Sequence, residues 1–387
     1  MYLTKWEEKA LQGEFGEPLR MAMNVLVKVC KALKGEKLIE ITHAHVSGIS
    51  YFNIGDEGLE LLQDLAKKKT RVLVYTTANP SSIALIDEFA SVYGVDVVVK
   101  QRKIVELLIA IGIDNKSFTC VPYKLRVPGY GEHLAWAESS AVIYANSIAG
   151  AKTNREGGIT ALMAAIAGRT CFCGMHIDEN RCPTELIEVS FPVNSIALAS
   201  ALGLFIGKVV RGIPYIKAVF RLHEDIRDIA IRSMLSSIAS TSSTALALVE
   251  GITPGYANIN LKGLEKISVD IDDVKDFIGG RCSDAMFLGC PHIDIKEAEE
   301  LLADIVGQLK GYGIKKVYIA IPSLDLHKLS ELNRVIDGID IVYLPGVCPV
   351  VSNLKLAKVY SLSTIHGKAY HYLPKLAGAS SCLLNIA

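Results

Sequence analysis

Apolar residues recur every four positions near the start of the chain, at Met21, Val25, Val29 and Leu33. This spacing places them on one face of a helix, and it predicts helices over residues 7–33. Apolar runs further along the chain predict strands, at residues 37–42, 71–77 and 95–99. An alternation of such strands with helices is typical of α/β layers built on mainly parallel sheets.

A helix is expected between the second and third of these strands. Asn79 and Pro80 stop the preceding strand. Ser81 or Ser82 can then accept hydrogen bonds from the first free N–H groups of a helix that runs to Glu88.

The rest of the chain divides into two further regions. The middle, about residues 130–260, is rich in Ala, Ser and Gly, which let helices pack closely, so we expect it to be largely helical and buried. A second α/β unit begins near Leu264, with strands at residues 315–321 and 339–344 and a helix at residues 324–335. We therefore expect an α/β domain with anion-binding turns, a mainly helical centre with a polar site-lining segment, and a second α/β region, at residues 1–125, 126–262 and 263–387.

Composition excludes some classes of protein. The chain has 387 residues, and its 41 basic residues balance 41 acidic ones. Nucleic-acid binding is therefore not expected, because its affinity rests on neutralising phosphates. The uncharged residues 189–207 include Pro192 and Asn194, and they indicate buried core in preference to a membrane span. No apolar signal segment opens the chain, so nine cysteines indicate a reducing, cytoplasmic compartment and metal chemistry in preference to disulfides.

Three of the cysteines lie where an apolar run gives way to a turn. Cys120, Cys290 and Cys348 are each followed within two residues by a proline, so each thiol would lie near the end of a strand. Three thiolates from distant parts of a chain can hold an iron–sulfur cluster and leave one iron without a protein ligand. Such an iron is a Lewis acid that can take a hydroxyl group from a substrate. If the three cysteines converge, we therefore expect a dehydratase and not an electron carrier. The alternative is that they are isolated, buried core residues.

Other cysteines leave alternatives open. A rival metal-binding group is formed by Cys171, Cys173 and Cys182. Its spacing differs from the C-x2-C of common zinc and iron–sulfur sites. Cys282 is an alternative to Cys290 as a ligand. Two cysteines in apolar segments are expected to be core residues, Cys30 and Cys382.

Two turns have the character of anion sites. Residues 45–51 follow a strand and offer a glycine, hydroxyl groups and backbone N–H groups. Residues 76–82 lead into the expected helix N-terminus, where free N–H groups favour a carboxylate or phosphate. The alternative is a pair of ordinary capped turns. No Walker or G-x-G-x-x-G pattern is present, so nucleotide binding has no support.

Polar residues are also concentrated in residues 129–147, among apolar ones. Buried polar groups are costly unless they have partners, so this segment indicates a lined cavity or, alternatively, an internally satisfied network. Arg155 follows the segment and can meet a carboxylate. Lys368 lies in a turn after the last of the three cysteines, where a surface lysine is the ordinary interpretation.

Together these segments resemble the aconitase X family. The resemblance is carried by TCVPY (119–123), GEHLAWAESSAVIYANS (131–147), TNREGG (153–158), GCPH (289–292) and the turn at Cys348. It covers essentially the whole chain, and the long central block is its most specific part. Ordinary aconitases place a C-x2-C pair and a distant cysteine around their cluster, and this chain has no C-x2-C pair.

The resemblance implies an aconitase-like multi-domain α/β architecture, with mainly parallel sheets flanked by helices. The family contains fused dehydratases of cis-3-hydroxy-L-proline, which carry a swivel domain. It also contains split archaeal enzymes that dehydrate (R)-5-phosphomevalonate to trans-anhydromevalonate 5-phosphate in a modified mevalonate pathway. The chain resembles the large subunit of the split form, and we expect it to lack the swivel domain. A small swivel-domain subunit would then complete a heterodimer and supply the catalytic base, a serine, so no catalytic residue is expected on this chain.

The resemblance also implies site residues. The ligands of a [4Fe-4S] cluster, which can also be isolated as [3Fe-4S], would be Cys120, Cys290 and Cys348. The substrate contacts would be Gly48, Ile49, Ser50, Asn79, Pro80, Ser139, Ser140 and Lys368. Two alternatives remain open at this point, which are dehydration of cis-3-hydroxy-L-proline or another hydroxy acid, and a non-catalytic metal-binding scaffold.

Overall fold

Two helices open the chain, α1 (Lys5–Gln12) and α2 (Glu17–Ala32). They confirm the expectation for residues 7–33. The computed structural model describes residues 1–279, 283–323 and 332–386. Within them, α2 buries one face, which includes Met23, Leu26 and Cys30, in the core of the first region.

A parallel sheet of three strands follows these helices. Its order is β3-β2-β4, and a separate antiparallel pair is formed by β1 and β5. The strands are β1 (Leu38–Glu40), β2 (His43–Val46), β3 (Tyr75–Ala78), β4 (Leu134–Trp136) and β5 (Arg169–Cys171). The helices around them are α3 (Tyr51–Lys67), α4 (Asp87–Tyr93), α5 (Val95–Ala110), α6 (Ser139–Ser147) and α7 (Gly158–Ala167).

Two local predictions in this region are wrong. Residues 95–99 form the first turn of α5 and not a strand, although Val95 and Val99 are β-branched. Both valines are exposed, and the helix is held by the burial of residues further along it, such as Ile104 and Leu108. The expected helix at residues 81–88 is a 3₁₀ turn at Ile83–Leu85, and α4 starts only after it.

The middle of the chain contains a second parallel sheet that the sequence patterns did not predict. Its order is β8-β7-β6-β9. The strands are β6 (Glu185–Val193), β7 (Pro214–Phe220), β8 (Leu248–Val249) and β9 (Glu265–Val269). Two long helices, α8 (Ile196–Val209) and α9 (Glu224–Thr241), pack against each other here. Residues 189–207 are divided between β6 and the buried α8, and no helix among the described residues is long and apolar enough to cross a membrane.

The last region is built on a sheet of six strands in the order β12-β13-β11-β10-β14-β15, in which β12 alone is antiparallel. The strands are β10 (Ala285–Leu288), β11 (Lys316–Ile321), β12 (Arg334–Ile336), β13 (Ile339–Pro345), β14 (Ser361–Thr364) and β15 (Ser380–Leu383). The helices are α10 (Ile271–Lys275), α11 (Ile295–Leu309) and α12 (Gly367–Tyr372).

The strands expected at residues 315–321 and 339–344 are confirmed as β11 and β13. Residues 324–331 of the expected helix lie outside the described residues, and its last two positions, Arg334 and Val335, belong to β12. Mainly parallel sheets flanked by helices are the predicted fold class. The boundaries at residues 125 and 262 stay a prediction.

One disulfide contradicts the expectation that the cysteines avoid such bonds. Cys30 on α2 is bonded to Cys171 at the end of β5, with the two Cα atoms 5.1 Å apart. Both residues are buried in the core of the first region, as expected for Cys30, and the bond ties α2 to β5. Two buried cysteines on adjacent elements are within bonding reach, which spacing along the chain did not reveal.

Candidate active site

A cavity of about 280 Å³ lies where the carboxyl ends of strands from the first and last sheets meet. The first sheet contributes residues that directly follow β2, β3 and β4, and the last sheet contributes residues after β10, β13 and β14. Ligands of open parallel sheets generally bind at the carboxyl ends of the strands. The lining includes Ser47, Gly48, Asn79, Pro80, Glu138, Ser139, Cys290, Cys348 and Lys368.

The three cysteines expected to act together all line this cavity and are buried. Cys120 accepts a hydrogen bond at Sγ from the backbone N–H of His292, with a distance of 3.2 Å. Cys290 follows Gly289, which has φ of 86° and whose Cβ would lie 2.2 Å from the carbonyl oxygen of Ala320. Only glycine therefore allows the turn that brings Cys290 to the cavity.

Burial controls the ionisation of these thiols. It raises the pKa of Cys120 to about 12 and that of Cys348 to about 11, and it raises the pKa of Cys290 well above its usual value. Lys368 opposes the shift at each of them but does not cancel it. Without a bound cation the three thiols are therefore neutral, and a metal group that binds them must displace their protons.

The donor set consists of cysteine thiols, which are the usual ligands of iron–sulfur clusters. Within residues 1–279, 283–323 and 332–386, no three His, Cys, Asp or Glu side chains are close enough together to hold one metal ion. A cluster spans a wider space than one ion and is held by cysteine thiolates. Three buried thiols around one cavity match that requirement.

Lys368 is a buried member of the site and not a surface lysine. Its ammonium group is bonded to the Glu138 carboxylate and lies 3.2 Å from the Ser140 hydroxyl oxygen. The Lys368 ammonium holds the pKa of Glu138 down at about 2 against the effect of burial. Glu138 in turn keeps the pKa of Lys368 above its ordinary value. Both groups are therefore charged at neutral pH.

Sequence reasoning did not single out Glu138, although it quoted the segment that contains it. Glu138 is the N-cap of α6, and its carboxylate accepts a hydrogen bond from the backbone N–H of Ser140. Asn79 also donates to it, from Nδ2 to Oε2 over 2.7 Å. A lone carboxylate between a buried strand and an apolar helix was the available signal. Its significance depends on Asn79 and Lys368, which only the fold brings near.

The other expected substrate contacts are divided. Gly48, Pro80 and Ser139 line the cavity. The Ser50 hydroxyl is buried and donates to the carbonyl oxygen of Val351 over 2.6 Å, and Ile49 lines a neighbouring apolar cavity. Their roles as substrate contacts stay predictions. Other lining residues were not assigned a role from the sequence, and they include Asn53 and Tyr372.

The helix N-terminus expected after Asn79 is not present. The turn at Ile83–Leu85 is too short to have a helix dipole of any size, and its N–H groups have partners within the protein. The N–H of Ile83 donates to the Ser352 hydroxyl over 3.0 Å, and that of Ala84 donates to the Ser82 hydroxyl over 3.2 Å. A capped turn therefore replaces the expected helix N-terminus, and the roles of Asn79 and Pro80 as substrate contacts stay predictions.

Arg155 lies at the exposed edge of the cavity and donates from Nη1 to the carbonyl oxygen of Ser242 over 2.8 Å. Its remaining guanidinium N–H groups can meet an anion that enters the cavity. The cations of the site are thus a buried ammonium beside the thiols and a guanidinium at the mouth.

The rival group of cysteines does not form a metal site. Cys171 is bonded to Cys30, and Cys182 is exposed. Cys173 accepts a hydrogen bond from Asn154 Nδ2 over 3.6 Å. Cys282, the alternative to Cys290, lies outside the described residues.

Family models match the chain along nearly its whole length. The Aconitase X first domain matches residues 1–179, the second domain matches residues 183–279, and the third domain matches residues 283–387. The chain belongs to the aconitase X family.

Relatives and a solved structure agree with this assignment. The chain is 37% identical to the phosphomevalonate dehydratase large subunit of Thermococcus kodakarensis, with 96% of this chain and 95% of the relative covered. It is 36% identical to the protein of the same name from Methanocaldococcus jannaschii, with 97% and 95% covered. A crystal structure of Thermococcus kodakaraensis aconitase X in its holo-form superposes with a TM-score of 0.86 at 34% identity, over 100% of this chain and 97% of that one.

A more distant relative has another substrate in its name. The cis-3-hydroxy-L-proline dehydratase of Pseudomonas aeruginosa is 30% identical over 78% of this chain, which spans only 53% of that protein. The predicted aconitase-like fold class is confirmed by these comparisons, and the chain is a hydro-lyase of the family.

Proposed function

We propose that this chain is the large subunit of a hydro-lyase that dehydrates (R)-5-phosphomevalonate to trans-anhydromevalonate 5-phosphate. The observation that carries the proposal is the meeting of three buried thiols and the Glu138–Lys368 ion pair in one cavity. The names of the relatives that match nearly end to end support the substrate. We propose the modified mevalonate pathway of isoprenoid synthesis as its setting.

Cys120, Cys290 and Cys348 would hold an iron–sulfur cluster, [4Fe-4S] in its intact form. When bound, the cluster supplies a Lewis acid that makes a hydroxyl group a better leaving group. The buried Lys368 ammonium keeps its charge and has a third N–H without a partner among the described residues, so it can donate to an anionic group of the substrate. Arg155 at the mouth can bind the other anionic end.

The base that removes the proton would come from a small swivel-domain subunit in a heterodimer. Among the lining residues that the structure describes, Glu138 is the carboxylate, and a group with a pKa of about 2 is a weak base at neutral pH. His45, behind the cavity wall, has its pKa lowered by burial to about 4 and is also a weak base. The chain then binds and orients the substrate and leaves proton abstraction to its partner.

The test is an anaerobic assay of the chain with and without the small partner. We expect dehydration of (R)-5-phosphomevalonate only when both subunits are present. Full activity of the large chain alone would refute a shared site. A panel that includes cis-3-hydroxy-L-proline and other hydroxy acids decides the substrate, since preference for one of them would replace phosphomevalonate in the proposal. We also propose a cytoplasmic location, because the cysteines that the cluster requires would stay reduced there.

A further inference from the structure

A chain of buried hydrogen bonds runs behind the cavity and ends at Glu138. His43 Nε2 lies 2.9 Å from the hydroxyl oxygen of Thr77, and that oxygen lies 2.7 Å from His45 Nδ1. His45 Nε2 lies 2.8 Å from Asn79 Oδ1, and Asn79 Nδ2 donates to Glu138 over 2.7 Å. Both histidines and Thr77 are fully buried.

The sheet explains why these side chains meet. His43 and His45 are two positions apart on β2, so they lie on the same face of the strand. In the parallel register His45 is opposite Thr77 on β3. Asn79 directly follows β3, and Glu138 follows β4 on the other side of β2. The series of hydrogen bonds therefore crosses from the middle of the sheet to its carboxyl edge.

The donors and acceptors available determine the direction of every hydrogen bond in this series. The Glu138 carboxylate can only accept, so Asn79 turns its Nδ2 toward it and its Oδ1 toward His45. His45 must then carry its proton on Nε2, and its Nδ1 accepts from the Thr77 hydroxyl. The Thr77 oxygen in turn accepts from His43 Nε2–H. Burial lowers the pKa of both histidines, so both stay neutral and this arrangement persists at neutral pH.

These hydrogen bonds fix the orientation of the Asn79 amide and do not conduct protons to the cavity. An amide does not readily release its N–H protons, so Asn79 interrupts proton transfer between His45 and Glu138. At the far end, His43 Nδ1 is buried and has no hydrogen-bond partner among the described residues. Protons therefore cannot pass through Asn79 or leave at His43. The function that remains for these hydrogen bonds is to hold the amide of Asn79.

We propose that His45 and Thr77 are positioning residues that hold the Asn79 amide with its N–H groups, and not its carbonyl oxygen, toward Glu138 and the cavity. The second N–H of Asn79 Nδ2 has no partner among the described residues, and Asn79 lines the cavity beside Lys368. An anionic substrate then meets a donor. If the amide rotated by half a turn, its oxygen would face the anion and the Glu138 carboxylate.

The Thr77 hydroxyl gives a matched pair of variants. Thr77→Val keeps the shape and removes the hydroxyl, which leaves His45 free to adopt either tautomer. Thr77→Ser keeps the hydroxyl and removes a methyl group. We expect Thr77→Val to raise KM about tenfold, the loss of one hydrogen bond to a charged group, with kcat nearly unchanged because the contact serves ground state and transition state alike. We expect Thr77→Ser to stay within about threefold of wild type.

A purely structural role for Thr77 predicts the opposite order, because valine preserves packing better than serine. Equal effects, a larger effect in Thr77→Ser, or loss of iron from Thr77→Val together with its activity would overturn the proposal. His45 provides an independent pair. His45→Gln retains an acceptor for Thr77 and a donor for Asn79, and His45→Leu retains neither. A KM in His45→Gln as high as in His45→Leu would also overturn it.

The inference rests on the proposed function, because it assumes an anionic substrate. The two can fail separately. The assays use the holoenzyme with its small partner and (R)-5-phosphomevalonate, or whichever hydroxy acid of the panel the wild type dehydrates. Failure of the proposed substrate is visible in the wild type alone, whereas failure of the positioning role is visible only in the ratio between paired variants.

Discussion

Two groups of cysteines in this chain have different surroundings. Cys120, Cys290 and Cys348 follow segments that end at one cavity, and a buried ammonium lies beside them. Cys171 belongs to the antiparallel pair β1–β5, away from the carboxyl edge of a parallel sheet, and it is bonded to Cys30. Proximity in sequence is therefore a poor guide to which cysteines lie together in the fold. The ends of parallel strands bring distant thiols together, whereas neighbouring ones are used elsewhere.

The surroundings also differ in charge. The cavity holds the ion pair of Glu138 and Lys368, both of which are nearly buried. The region of Cys173 and Cys182 carries the pair Lys152–Asp178, in which the Asp178 side chain is 75% exposed. Burial makes the first pair costly to break and leaves the second of little consequence.

The largest effect is expected at the buried pair. Lys368→Met leaves the Glu138 carboxylate buried without its cation, and it should lower the free energy of unfolding by about 3–5 kcal/mol and kcat/KM by roughly 100-fold or more. The double variant with Glu138→Gln should recover most of the stability and none of the activity. Urea unfolding and steady-state kinetics measure both effects. Asp178→Asn is the control, at no more than about 1 kcal/mol. If the free energy of unfolding fell equally in the single and the double variant, this account of the pair would be contradicted.

The second effect concerns the disulfide. Replacing Cys30 and Cys171 together with alanine, or adding reductant, should lower the free energy of unfolding by about 2–4 kcal/mol, because the bond closes a loop with a sequence separation of 141. Activity under native conditions should be unchanged, since neither residue lines the cavity. Urea unfolding with and without reductant measures it. If the urea unfolding curve of the wild type were the same with and without reductant, the bond would contribute nothing to stability.

The smallest effect, per unit of pH, is a dependence of stability on pH. Burial lowers the pKa of His45 to about 4 and that of His176, near Cys173, to about 3. In the unfolded chain both titrate near 6.5, so between these values the unfolded state binds more protons. Their contribution to stability is complete above pH 6.5 and is lost as the pH falls toward 4 and 3.

Either His45→Gln or His176→Gln should reduce the slope of unfolding free energy against pH by up to about 1.4 kcal/mol per pH unit in that window. His223, whose side chain is 82% exposed, provides the control variant His223→Gln. A slope as steep in both buried variants as in wild type would remove burial as its cause. Leucine in place of each histidine should raise KM only at position 45, which separates the two regions functionally.

The parts of the fold that depend on local pattern could be predicted. The apolar runs at β11 and β13 each determine their own strand. The repeat from Met21 to Leu33 predicted a helix but not its buried face, which includes Met23, Leu26 and Cys30. Val95 and Val99 were misassigned because β-branched residues favour strands on average, while burial of other residues of α5 decided the matter. The 3₁₀ turn after Ser82 likewise depends on Ser352, which is distant in sequence.

The candidate site was predictable only where each residue marks its own position. The three cysteines carry a proline signal, and their meeting at one cavity agrees with the expectation. Glu138 and His45 gain their meaning from the pairing of β2 with β3 and β4, which single residues do not encode. The Cys30–Cys171 bond was missed because the cysteines were expected to be reduced, and their order along the chain could not have identified the pair.

The central claim is that the cavity thiols, and not the other cysteines, hold an iron–sulfur cluster. The measurement that tests it most directly is the iron and acid-labile sulfide content of anaerobically purified chain. It compares Cys120→Ala, Cys290→Ala and Cys348→Ala with the controls Cys173→Ala and Cys182→Ala. The account predicts that each cavity variant loses most of its iron and sulfide and that both controls keep wild-type amounts. Wild-type content in the cavity variants, or loss in the controls, would contradict it.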